Sequence, residues 1–105
     1  MPEEVFVVVP TSAPQNLKTI PTNMNDLSVL WSAPEEIYGG STTVVTYVVT
    51  LMQSGVPDQT VTTTDLTAKF NGLLLGTPYT VTVQPQTQYG DGTPASLTQV
   101  YPVPV

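Results

Sequence analysis

The chain has 105 residues, the length of one domain with a single hydrophobic core. Eight carboxylates stand against Lys18 and Lys69, with no arginine, histidine or cysteine, for a net charge of −6. That balance excludes the phosphate neutralisation that nucleic-acid binding requires, works against anionic membranes, and removes disulfides and thiolate metal sites.

The chain opens on an apolar run, Val5-Phe6-Val7-Val8-Val9. It is shorter than a secretory apolar region of about 7–15 residues, and acids rather than bases precede it, so no signal peptide is expected in this chain. No stretch approaches the ~20 apolar residues of a membrane span, and no membrane insertion is expected. Five consecutive apolar residues do not alternate, so one sheet face cannot bury them all. Residues 1–11 therefore read as an N-terminal apolar arm whose Val5, Phe6, Val7, Val8 and Val9 contact a protein partner or a neighbouring subunit. The alternative is that the run folds back along the domain's own last strand.

Beyond the arm, helix signals are nearly absent. Eleven prolines interrupt the chain, and the longest proline-free window is rich in β-branched residues. Strand signals recur. Leu27, Val29 and Trp31 alternate with Ser28, Leu30 and Ser32; Tyr47, Val49 and Leu51 with Val48 and Thr50; Tyr79, Val81 and Val83 with Thr80 and Thr82. Turn residues fall between them, at Pro34 to Gly40, Ser54-Gly55, Asn71-Gly72 and Gly90-Asp91-Gly92. The pattern predicts seven strands, near 15–20, 26–32, 43–52, 58–63, 67–73, 79–88 and 94–101, in an all-β antiparallel sandwich. Residues 12–101 form the domain, and 102–105 an extended tail.

Several segments resemble the fibronectin type III family. Ala13-Pro14-Gln15-Asn16-Leu17 with Leu27-Ser28-Val29-Leu30-Trp31 is similar to its opening. Tyr47-Val48-Val49 is similar to its third strand. Leu73-Leu74-Leu75-Gly76-Thr77-Pro78-Tyr79 is similar to the approach to its sixth. The resemblance implies an immunoglobulin-like, seven-stranded sandwich. Trp31, Tyr47, Leu73, Tyr79 and Val81 would lie in its core, with Tyr79 as a tyrosine corner over Leu73. Two positions depart from the family pattern. Leu75 replaces a usual proline. Pro85 lies inside the sixth strand, where a missing N–H predicts a bulge or break at Gln84–Gln86.

The residue inventory is poor for catalysis. The common general base and thiol nucleophile are missing, and the doublets Glu3-Glu4 and Glu35-Glu36 read as solvated loop acids. Asp26, Asp58, Asp65 and Asp91 are scattered singly, without a calcium-loop pattern, so neither metal nor cofactor is expected. Some family members bind integrins through Arg-Gly-Asp in the loop before the last strand. Here Tyr89 precedes Gly90-Asp91, and that activity is not carried over. Tyr89, and Tyr38 beside Gly39-Gly40, are candidate contact residues on loops; the alternative for Tyr89 is a ring laid over its own hairpin. The segment Gln59 to Thr64 reads as a sheet edge without lysine, proline or inward charge, and such edges are usually guarded.

These features point to a non-catalytic structural or interaction module. Two settings fit: a decoration or surface protein of a virion, or a spacer or adhesive module of an extracellular receptor, adhesin or glycan-degrading enzyme. Both place the chain on a virion or an extracellular surface.

Overall fold

A computed structural model describes residues 11–100, apart from Met24, Ser41, Gly55 and Leu75. The apolar arm as far as Pro10, the tail and the departure at Leu75 therefore lie outside the described residues.

Eight strands run in chain order: β1 (Gln15–Asn23), β2 (Asp26–Ser32), β3 (Thr46–Gln53), β4 (Val56–Thr63), β5 (Thr67–Phe70), β6 (Tyr79–Thr87), β7 (Gly90–Asp91) and β8 (Ala95–Val100). They form two antiparallel sheets. One has the order β1-β2-β5; the other has β4-β3-β6, with β7 and β8 pairing successive parts of the far side of β6. The alternating apolar residues of β2, β3 and β6 point between the sheets. There Leu27, Val29, Val49, Leu51, Val81 and Val83 are fully buried. Period-two patterning thus becomes a two-layer core.

The strands differ from the expected set at their ends. The third begins at Thr46, not near residue 43, because Thr43 N–H closes a turn onto the Gly40 carbonyl (3.1 Å). The fifth stops at Phe70, and Leu73 instead hydrogen-bonds Asn25 in the β1–β2 turn. The seventh is observed as β8, and a short additional strand, β7, forms at Gly90–Asp91, where a turn was expected.

Pro85 does not break β6. The β3–β6 register passes through Thr46↔Gln86, Tyr47↔Pro85 and Val48↔Gln84 without a shift. The Pro85 carbonyl accepts the Gly92 N–H (2.8 Å), on the side away from β3. The N and C=O of one strand residue point the same way, so the donorless nitrogen also faces that side. No bond to β3 is lost. The interruption lies in the partner strand, between β7 and β8.

The real irregularities lie at the edges. In β1 the register jumps between Gln15 and Lys18, where Asn16 takes a φ of 54°. Asn tolerates this left-handed region better than most side chains, and the bulge bends the edge. Between β3 and β4 the register jumps from Leu51↔Gln59 to Met52↔Pro57.

Candidate functional site

The two ends of β6 carry different constructions. At its start Tyr79 is 2% exposed, and its hydroxyl accepts the Leu74 N–H (3.0 Å). Leu73 is buried beside it. Its N–H donates to the Asn25 carbonyl (2.9 Å), and the Asn25 side-chain amide donates back to the Leu73 carbonyl (2.6 Å). Gly76 completes the turn with φ 76°, a region that side chains oppose.

At the other end, Gln88 and Tyr89 form the tip of a tight hairpin closed by the Thr87↔Gly90 pair. The Thr87 hydroxyl accepts the Tyr89 N–H (3.1 Å). The hairpin leans on the loop between β2 and β3. The rings of Tyr38 and Tyr89 meet edge to face, with centroids 4.9 Å apart at 84°. Gly39 lies under that contact with φ 93°; a Cβ there would stand 2.5 Å from both Thr43 Oγ1 and Tyr89 Cε2. Tyr89 thus packs across to the neighbouring loop rather than over its own hairpin, and remains 55% exposed.

Thr11 fastens the two loops from beneath. Its hydroxyl accepts the Tyr38 N–H (3.1 Å), its carbonyl accepts the Thr93 N–H (2.9 Å), and the residue is buried. Gly92 is where this fastening is tightest: a Cβ there would lie 2.5 Å from the Thr11 carbonyl oxygen and 2.9 Å from Pro85 Cγ. The Gln84 side-chain amide donates to the Gly92 carbonyl. Ser12 adds a reciprocal pair with Glu36: Ser12 N–H to the Glu36 carbonyl (2.8 Å), and Glu36 N–H to the Ser12 hydroxyl (3.0 Å). Nothing in the residue types alone marks Thr11; the sequence placed it at the end of the arm.

Between the loop and the hairpin opens a cleft of about 580 Å³. Gly39, Thr43 and Val44 wall one side, and Gln86, Thr87 and Tyr89 the other. Val44 is 71% exposed on its rim. The lining is uncharged, with aromatic, aliphatic and hydroxyl groups but no carboxylate or cation. It suits a protein surface better than an ionic ligand.

The other residues singled out from sequence are dispersed. Trp31, Tyr47 and Val81 are buried in the core, and Trp31 and Tyr47 meet edge to face at 5.3 Å. Burial pushes the Tyr47 hydroxyl above its ordinary pKa of 10.0. Trp31 Nε1 is buried and has no hydrogen-bond partner among the described residues. Glu35 and Glu36 are exposed on the β2–β3 loop. Among the described residues no three His, Cys, Asp or Glu side chains gather where they could hold a metal ion. No helix there is long and apolar enough to cross a membrane.

The family described as the fibronectin type III domain matches residues 12–101. No curated protein sequence matches the chain. Among solved structures, domains d3-d4 of the rat CD45 extracellular region resemble it with a TM-score of 0.77 and 21% identity, over 87% of this chain and 49% of that one. The chain thus spans about half of that structure. The 6th fibronectin type III domain of human fibronectin type III domain containing protein 3 gives 0.75 and 18%, covering 96% and 93%. The FN5 domain of Drosophila Lar gives 0.58 and 23%, covering 92% and 99%. With its two-sheet topology, its buried Trp31 and the family match over residues 12–101, the chain belongs to the fibronectin type III family.

Proposed function

We propose that this domain is a non-catalytic interaction module that presents the Tyr38–Tyr89 end to a protein partner in an extracellular assembly. One observation carries the reading. Tyr89 is exposed yet held: its ring rests on Tyr38 and Gly39, and its N–H is bonded to Thr87. A rigid, half-exposed aromatic beside an uncharged cleft gives contact area at low entropic cost. Family membership supports a module without chemistry of its own. Of the two settings, a virion surface and a module of an extracellular receptor or adhesin, the likeness to the CD45 extracellular region favours the second.

The test is a screen of the purified chain against an array of extracellular proteins, with Tyr89→Ala beside it. Binding that Tyr89→Ala abolishes, in a variant that still unfolds cooperatively from the native fold, supports the reading. Partners bound equally by both overturn it, as does a hydrolytic activity lost in Glu35→Gln with Glu36→Gln.

A further inference from the structure

β4 forms one edge of the larger sheet. Edge strands expose unpaired N–H and C=O groups, and proteins guard them with lysine, proline, bulges or inward charge. The first half of β4 is guarded: it contains Pro57 and lies opposite the register jump at Met52. The second half, Gln59 to Thr63, has none of these devices. Its register with β3 is regular from Leu51↔Gln59 to Tyr47↔Thr63. Thr60 and Thr62 are exposed, and Val61 packs inward against the core. The face behind this edge is also uncharged: Thr60, Thr50, Thr82 and Ser96 form one row across β4, β3, β6 and β8. In a protein of net charge −6, that is a place where another copy approaches without meeting like charge.

We propose that this edge receives the arm Val5–Val9 of a second copy, as an added strand alongside Gln59–Thr63. Both segments are five residues long and uncharged. Main-chain bonds to β4 would supply affinity, and alternate arm side chains would lie beside Val61.

Reach decides that the copy is a different one. Thr11 is bonded to Thr93, and Gly92 to Pro85, so the arm leaves on the β7–β8 side of β6. A strand added beyond β4 lies three strand spacings, about 14 Å, from β6. Val9 is two residues from Thr11, a span of at most about 7 Å. The arm cannot cover its own β4. An arm folded back along its own β8 is the competing arrangement, and the melting temperature of the arm variant below decides between the two. Donor and acceptor segments differ, so two copies can exchange arms reciprocally in a closed dimer or link head to tail in an open chain, and either raises the mass with concentration.

The experiment uses the full chain in sedimentation velocity across a concentration series. The expected result is a mass that rises with concentration. Thr60→Lys with Thr62→Lys blocks the acceptor edge, and Val7→Asp with Val9→Asp spoils the donor arm. Each double variant alone should stay monomeric. Mixed, they should give a 1:1 heterodimer and nothing larger, because one intact arm meets one intact edge. Thr60→Glu with Thr62→Glu repeats the edge block if the lysine variant fails to fold by circular dichroism. Wild-type chain that stays monomeric throughout overturns the proposal. So does a mixture that forms no heterodimer. A lowered melting temperature of monomeric Val7→Asp with Val9→Asp overturns it too, placing the arm on its own domain.

Discussion

Tyr79 and Tyr89 stand near opposite ends of β6, each close to a glycine of positive φ, yet they are used in opposite ways. Tyr79 is buried, and its hydroxyl accepts a backbone N–H. Tyr89 keeps its backbone N–H bonded, and its ring is half in solvent on an aromatic neighbour. A corner tyrosine fixes the chain through its polar tip; a tip tyrosine is fixed by the chain and offers its ring. Exposure and the use of the hydroxyl, not residue type, separate the two.

The core beneath the Tyr89 end should give the largest effect. Trp31→Ala removes a side chain only 5% exposed that packs on Tyr47. The expected loss in urea denaturation is about 3–5 kcal/mol, the range for truncating a large buried aromatic. A loss below about 1 kcal/mol would mean that the ring is not in the core.

Gly92→Ala and Tyr79→Phe sharpen the contrast between the ends. The first drives a methyl into the Thr11 backbone, which cannot rotate aside, and should cost about 1–3 kcal/mol. The second leaves the Leu74 N–H without its acceptor and should cost about 1–2 kcal/mol. Heteronuclear shifts should separate them: Gly92→Ala perturbs Tyr38 and Thr93, and Tyr79→Phe perturbs Leu73 and Asn25. A shared pattern would mean that the ends are coupled through β6.

Alkaline pH probes the buried phenol below the tip. The folded pKa of Tyr47 is raised, so above about pH 10 the unfolded chain releases a proton that the folded chain keeps. Its contribution is complete below the unfolded pKa and is lost as pH rises through the folded one. Denaturation at pH 8 and pH 11 should show a steeper loss in wild type than in Tyr47→Phe. Equal slopes would assign the alkaline loss to other tyrosines.

Much of the fold was legible because β2, β3 and β6 each bury one face, which forces alternation. The Leu73-to-Tyr79 segment was legible because its corner is local in sequence. Pro85 misled, because a strand proline is harmless or disruptive according to which neighbour its nitrogen faces. That depends on the register of β6, which turns the Pro85 nitrogen toward the side where β7 gives way to β8. The Tyr38–Tyr89 pair and the Thr11 fastening were not legible, since each joins distant segments through contacts with no periodic signature. Gly39 was visible only as a turn residue, although its missing side chain also makes room for Tyr89.

That last point yields the smallest effect on stability and the sharpest on presentation. Tyr89→Ala removes a half-exposed ring and its edge-to-face contact with Tyr38, so it should cost about 0.5–1.5 kcal/mol. Gly39→Ala differs: φ 93° is strained for alanine, and its methyl would collide with the Tyr89 ring. The ring should swing off Tyr38 while its own chemistry stays intact. Binding that depends only on the presence of the Tyr89 ring would survive Gly39→Ala and fail in Tyr89→Ala. Binding that depends on the fixed pair would fail in both. Ring-current shifts of the Tyr38 protons should report which variants keep the edge-to-face contact. If Gly39→Ala retained those shifts, the glycine would serve the turn alone and the pair would be held by Thr11 and Thr87.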